Sequence, residues 1–593
     1  MKLASKILLA VILTSSLFLM LGSSSQESAI MDELAHIPAG YSYLNNLDYR
    51  LNPEHPPLVK MAAGLPLLFL DLNFPTDDPA WVDQVNGQWD MGSSFLYTSG
   101  NDADQIIRWS RLGPILLTLI LVIFVYIWAR NLMGEWWALL PAAGTALSPH
   151  FLAHGHYVTT DIGAALGIVI SLYYFNRYLG SPTKKKLIIA GVAFGIAQLM
   201  KFSALILVGH MLIMILLYAI IRTQKINEFF KLFPKYLGKL FLIFALGGLV
   251  IYPLYALASI NNPPERQLSD TKAILGSDFD QGPLRPVAEA TAYLSNKPIL
   301  RPYSQYMLGL LMVFKRSSEG NTLYFLGDVD AQGGPTYFPI VYSIKETLPM
   351  LTLLVLGLLL STHGAIRSLF KSQRKLKDYL NTNLHEFSAL LFILIYLAYS
   401  LSSPLNIGFR HLMPIIPLMY ILATGSLKKY AQASTNRRQL KAAMVVFLFL
   451  WQGTLAFTSY PHYLSYFNEL VRADDGWRYV TDSNYDWGQD LKRLAPLVEQ
   501  EGIDRIAVDY FGAGSPGYYL GDKAVHWESR MGNPIESGIG WLAVSVNEIQ
   551  SAVAPAAPGF SRDIEVEYRW LEDPYSPDFI AGKTIFVYKL QQQ

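Results

Sequence analysis

Arg111-Leu-Gly-Pro-Ile-Leu-Leu-Thr-Leu-Ile-Leu-Val-Ile-Phe-Val-Tyr-Ile-Trp-Ala129 carries no charge after its first residue. An apolar run of about 18 residues is long enough to cross the hydrocarbon core of a bilayer as a helix. Similar runs recur at 7–21, 136–152, 161–178, 187–200, 202–221, 240–258, 338–360, 387–402, 411–425 and 442–458. Together they predict a polytopic α-helical membrane protein with about eleven spans. Composition agrees: 52% of the 593 residues are hydrophobic and 16% charged, against about 25% charged in soluble domains. The net charge of +1 gives no bulk field for nucleic acid. The absence of Cys excludes disulfides, thiolate metal sites and cysteine nucleophiles.

Basic residues alternate between the connecting segments. One set holds Lys2 and Lys6; Arg130; Arg177 and Lys184–Lys186; Arg222, Lys225, Lys231 and Lys235; Arg367, Lys371, Arg374, Lys375 and Lys377; Lys428, Lys429, Arg437, Arg438 and Lys441. The alternate short loops carry little beyond Lys201 and Arg410. The positive-inside rule then places the N-terminus in the cytoplasm. Three long segments fall outside: 22–108, 259–337, and everything after about 460. The first helix, preceded by Lys2 and Lys6, also has the form of a signal peptide; its removal would leave the remaining topology unchanged.

Residues 1–460 therefore read as a transmembrane domain and 461–593 as a small extracytoplasmic α/β domain. In the latter, 489–500 has helical character, and 503–511, 541–546 and 584–590 read as strands. The glycine-rich Phe511-Gly-Ala-Gly-Ser-Pro-Gly517 lacks dinucleotide-binding spacing and reads as a turn.

The first outer loop concentrates chemistry. Met31-Asp-Glu-Leu-Ala-His36 places two adjacent carboxylates, Asp32 and Glu33, just after the first helix. Asn52-Pro-Glu-His-Pro-Pro-Leu58 has three prolines within five residues, so the chain around His55 is stiff and extended. The apolar run that follows is too short to span and fits a helix lying in the membrane interface. In His154-Gly-His-Tyr-Val-Thr-Thr-Asp161, Asp161 sits at the outer mouth of a helix, either as a functional acid or as a helix N-cap. His154 and His156, two apart beside carboxylates, form a candidate site for a divalent metal, with plain polar surface as the commoner explanation. Lys201 and Arg410, with its neighbour His411, are cations in short loops otherwise nearly stripped of positive charge, and Lys345 is a third on the same face. A helix starting near Tyr337 would carry Lys345 about 10 Å along its axis, where a charge must be paired or line a wet cavity. Three such cations suggest an anion, and a lipid phosphate is the obvious one.

In order and sidedness, these elements resemble the bacterial relatives of the protein O-mannosyltransferases and the lipid A aminoarabinose transferases, both GT-C membrane glycosyltransferases. Asn406-Ile-Gly-Phe-Arg-His-Leu-Met-Pro414 and Asp482-Ser-Asn-Tyr-Asp-Trp-Gly-Gln-Asp-Leu491 are similar to the bacterial phospholipid-carrier-dependent branch. The resemblance implies a bacterial inner-membrane enzyme that moves a sugar from a polyprenyl-phosphate donor to an acceptor hydroxyl. It implies Asp32 as base, Glu33 toward the acceptor, Asp161 as second acid, and His55 shaping its loop. His411 would shape its loop or meet the acceptor, and Lys201, Lys345 and Arg410 would hold the donor phosphate. The C-terminal segment departs from the β-trefoil domain of eukaryotic members, which sets a protein acceptor in question. A transporter or flippase of an anionic or lipid-linked substrate would use similar intramembrane charges, but no internal repeat is evident.

Overall fold

Backbone polar groups in lipid must be satisfied within the segment, so the apolar runs become helices that end where proline or polarity interrupts them. The computed structural model describes residues 2–276, 279, 281–371, 382–433, 438–472 and 475–591. Among these, seven helices are long and apolar enough to cross a membrane: Leu3–Ser24, Ala103–Met133, Asp161–Gly180, Phe202–Arg222, Ile226–Ala258, Leu384–Ser402 and Gln439–Thr458. Tyr337–Lys345 and Leu348–Gly364 would make an eighth span, but they meet at 119°.

The other three expected spans are shorter or broken. The run 136–152 splits into Leu139–Ala146 and Pro149–His154. Pro149 lacks an N–H, and Ser148 before it is extended (φ −74°, ψ 130°). The runs 187–200 and 411–425 yield the 17-residue helices Lys184–Met200 and Ile416–Gln432. His411 itself lies in a preceding 3-10 turn, Phe409–Leu412. Of the basic residues behind the topology, Arg374, Lys375, Lys377 and Arg437 lie outside the described residues.

Helix direction gathers the ends that matter. Asp32 follows the first helix, Asp161 opens its own, Lys201 follows Lys184–Met200, and Arg410 lies between Leu384–Ser402 and Ile416–Gln432. All four meet at one end of the bundle. Arg130 and Arg177, in the last turns of their helices, lie at the other.

The first long loop is tightly built. Helix Glu33–Asn45 crosses Pro57–Gly64 so closely that a Cβ on Gly40 would lie 2.1 Å from the Lys60 carbonyl oxygen. A Cβ on Gly64 would lie 2.4 Å from that of Gly40, so only glycine fits at either position. The Lys60 side chain is fully buried and clamps the proline-rich stretch. Its Nζ shares its protons among four acceptors within reach, Tyr43 Oη (2.8 Å), Asn52 O (2.7 Å), Asn52 Oδ1 (2.9 Å) and His55 O (2.8 Å). The apolar helix ends with Leu65, Leu68 and Phe69 exposed.

The second long loop is mostly helical, with Pro264–Leu275, Arg285–Leu294 and Arg301–Glu319. A hairpin follows, β1 (Leu323–Phe325) and β2 (Asp328–Asp330). The C-terminal segment carries a mixed sheet of β3 (Ile506–Asp509), β4 (Ala524–His526), β5 (Trp541–Ser545), β6 (Phe579–Ala581) and β7 (Ile585–Lys589), in the order β4-β3-β5-β7-β6. β3 runs parallel to β4 and β5; β7 is antiparallel to β5 and β6. Helix Leu491–Gln500 buries Leu491, Leu494 and Val498, one face at helical spacing, against that sheet. The short edge strands β4 and β6 had too little pattern to be read from sequence.

This segment is knitted to the first and second long loops. Leu326 N donates to Tyr479 O (2.8 Å) and Val329 N to Pro555 O (2.8 Å). Ser28 N donates to Gln489 O and Met31 N to Trp487 O, each at 3.1 Å. The glycine-rich turn contributes here. Gly512 Cα would lie 2.5 Å from a Cβ on Gly488, whose φ is +95°, so neither position tolerates a side chain.

Candidate active site

Arg410 joins two of the predicted acids. Its Nη1 donates to Asp32 Oδ2 at 2.7 Å and lies 3.6 Å from Asp161 Oδ2. Lys201 Nζ donates to Asp161 Oδ1 at 2.5 Å. The result is a chain of carboxylate, guanidinium, carboxylate and ammonium, drawn from four separate elements. The Arg410 guanidinium stacks on the Trp487 ring, 4.1 Å from its centroid. Burial pushes Arg410 toward its neutral form, but Asp32, Asp161 and Asp482 outweigh this and raise its pKa. Arg410 Nε and Asp161 Oδ2 are buried without hydrogen-bond partners. Asp32 and Lys201 supply the openings: their side chains are 25% and 18% exposed, against 2% for Asp161.

Asp161 is the first residue of its helix; Thr160 is the N-cap, and no side-chain capping bond forms. Its carboxylate turns instead to Lys201 and Arg410. His411 lies near the same groups; burial, then Lys201 and Arg410, press its pKa down to about 3. His55 is edge-on to His36, with ring centroids 5.0 Å apart. Burial, reinforced by His36 and Lys60, takes His55 well below its ordinary value. Both rings are therefore neutral near pH 7.

Glu33 is placed differently from its neighbour. Its side chain is fully buried, and Arg111 Nε and Nη2 grip its two oxygens at 2.8 and 2.7 Å. The backbone N–H groups of Ile30 and Val158 donate to the same carboxylate, each at 3.0 Å. With four donors occupying it, Glu33 presents no face toward an acceptor. This placement differs from the expectation that Glu33 faces the acceptor. Adjacent residues on a helix point about 100° apart, so Asp32 and Glu33 serve different surroundings.

Lys345 is likewise occupied by partners within the chain. It ends the short helix Tyr337–Lys345, and its buried Nζ donates to the carbonyls of Leu464 (2.8 Å), Tyr466 (2.7 Å) and Asn484 (2.5 Å). An ammonium has three protons, and all three are used. Lys345 thus staples the broken span to the C-terminal segment and has no donor left for a phosphate. Next to it, Glu346 accepts from Thr347 N (2.8 Å) and Tyr420 Oη (2.7 Å).

His154 and His156 diverge. His156 Nε2 is 2.8 Å from Glu27 Oε2, and its Nδ1 is 2.7 Å from Leu152 O. His154 is edge-on to Trp487, its Nδ1 unpartnered. Among the described residues, no group of three His, Asp or Glu side chains converges on a point where an ion could sit. Sequence reasoning missed Arg111, Lys60 and Trp487. Arg111 opens an apolar run, where a buried charge is itself a signal; nothing local marks Trp487 as the platform for Arg410.

This arrangement defines an integral membrane protein with a charged, partly open site at one end of its helical bundle. Residues 103–251 match the family described as Dolichyl-phosphate-mannose-protein mannosyltransferase. The fold is similar to the protein O-mannosyltransferase Pmt1-Pmt2 complex of S. cerevisiae bound to the sugar donor, with a TM-score of 0.53 and 12% identity over 77% of this chain and 90% of that one. ArnT from Cupriavidus metallidurans bound to undecaprenyl phosphate aligns with a TM-score of 0.44 and 12% identity, over 90% of this chain and 92% of that one. The Archaeoglobus fulgidus oligosaccharyltransferase aligns at 0.46 and 13%, over 91% and 69%. No curated protein sequence matches the chain. The chain has the GT-C fold of membrane glycosyltransferases, with a small C-terminal sheet region.

Proposed function

We propose that this protein is a glycosyltransferase that takes its sugar from a polyprenyl-phosphate lipid and delivers it to an acceptor hydroxyl. The observation that carries this reading is the Asp32–Arg410–Asp161–Lys201 array, partly open at the bundle end. The family match over residues 103–251 and the donor-bound yeast neighbour support the same class.

Each residue has a chemical part. The Asp32 carboxylate takes the acceptor hydroxyl proton as the oxygen bonds to the anomeric carbon. The bond from that carbon to the lipid phosphate breaks, and the phosphate leaves with the electron pair. Arg410 and Lys201 stabilise the charge developing on it. Asp161 holds both cations in place. Lipid phosphate is already a good leaving group, so no general acid is needed, and a single displacement inverts the anomeric centre. The proposed setting is a bacterial inner membrane, with the site and residues 461–593 on the extracytoplasmic face.

The test uses purified protein in lipid with a panel of radiolabelled polyprenyl-phosphate sugars, and membrane extract as acceptor source. Loss of label from the lipid with wild type, abolished in Asp32→Asn while donor binding persists, supports the transferase. Failure to bind or turn over any such lipid removes the reading and brings transport forward.

A further inference from the structure

At the opposite end of the bundle lies a cavity of about 500 Å³ that the transfer site does not use. Its size falls in the ~300–1,000 Å³ range of small-molecule sites. Three helices form it: the end of Leu112–Met133, the last turn of Asp161–Gly180 and the start of Leu384–Ser402. Arg177 and Asp161 are sixteen residues apart on one helix, so the cavity is about 24 Å from the array along that axis.

Its lining is polar at one side and apolar at the other. Arg130 and Arg177 give it positive charge, His385 adds a ring nitrogen, and Phe124, Ile127 and Tyr174 form a half-buried wall. Among the described residues, no carboxylate lines it. Neither guanidinium has an ion-pair partner among the described residues; each lies over a tyrosine of its own helix, Arg130 over Tyr126 and Arg177 over Tyr173. His385 Nδ1 is buried and unpartnered. Two uncompensated guanidiniums beside an apolar wall, between spanning helices, fit a phosphate that carries a hydrocarbon chain.

We infer that this cavity binds the headgroup of an acidic glycerophospholipid from the leaflet opposite the transfer site. The two arginines engage the phosphodiester, and the aromatic wall receives the upper part of an acyl chain. The inference does not depend on the transfer reading.

The first experiment maps the site in the wild-type chain. Protein in phosphatidylcholine nanodiscs containing photoactivatable phosphatidylglycerol is illuminated, digested and sequenced by mass spectrometry. Labels on peptides covering 124–132 or 173–177 are expected; labels confined elsewhere overturn the proposal. The second measures phosphatidylglycerol binding by native mass spectrometry in Arg130→Gln/Arg177→Gln. Each arginine contributes a factor of about five, so the double variant weakens binding about 25-fold. Lys184→Gln/Lys185→Gln, exposed lysines at the same end, should leave it unchanged. An equal loss in that control, or unchanged binding in the arginine variant, overturns the proposal. So does equal binding of phosphatidylcholine, of inorganic phosphate alone, or tighter binding of a polyprenyl phosphate.

Discussion

Replacing Glu33 by Gln tests whether two neighbouring carboxylates have different tasks. Glu33 faces four donors: Arg111 Nε and Nη2, and the N–H groups of Ile30 and Val158. An amide offers one oxygen and one NH2, so its NH2 side meets donors where acceptors are needed. It also removes the carboxylate paired with Arg111, which is fully buried; the carbonyls of Ser24 and Ser28 and one amide oxygen remain as acceptors, with Glu27 as the nearby charge. Breaking a buried ion pair by removing one partner costs about 3–5 kcal/mol, which is large for a folded domain. Asp32→Asn is the contrast. Asp32 is partly exposed, and an Asn oxygen still accepts from Arg410, so its stability changes by only about 0.5 kcal/mol. Its turnover falls by about 10²–10⁴-fold through loss of the base. Both variants are purified in detergent, and their melting temperature, monodispersity and donor turnover are compared. A Glu33→Gln protein that melts like wild type yet has lost turnover would refute the structural assignment and put Glu33 in the chemistry.

Arg410→Lys keeps the charge but loses the planar group that bridges Asp32 and Asp161 and stacks on Trp487; donor affinity should fall about 10–100-fold in lipid-binding titrations, and unchanged affinity would remove Arg410 from the donor site. Lys345→Met leaves three buried carbonyls unpaired, each costing about 1–3 kcal/mol; the melting temperature should drop sharply, while any folded fraction keeps the wild-type donor KM. Burial raises Asp486 to about 8. Its folded pKa lies above the unfolded value, so the folded state holds a proton the unfolded state has released. The stability this adds is full below about pH 4 and is lost as pH rises through about 8, with a slope of at most about 1.4 kcal/mol per pH unit. Melting curves across pH 6–9 should decline for this reason, and Asp486→Asn should flatten the decline.

The apolar runs were legible because lipid leaves the backbone few choices, so a stretch such as 111–129 declares its helix without knowing its neighbours. Charge alternation and the order of short motifs were enough to bring Asp32, Asp161, Lys201 and Arg410 into consideration, and those four meet. What local sequence could not carry was the direction and occupancy of each buried charge. Glu33 and Asp32 look alike in sequence, yet one is locked by Arg111, 78 positions away, and the other opens beside Arg410, 378 away. Lys345 looked like a phosphate ligand until the fold supplied three carbonyls from 464–484 to its ammonium. Span continuity was equally hidden: at the break at 345–348, Glu346 accepts from Tyr420 and Lys345 donates to the C-terminal segment, contacts that hydropathy does not record. A sequence names the groups that lipid makes costly to bury; only tertiary structure says which of them have already been satisfied by partners and which stay open for a substrate.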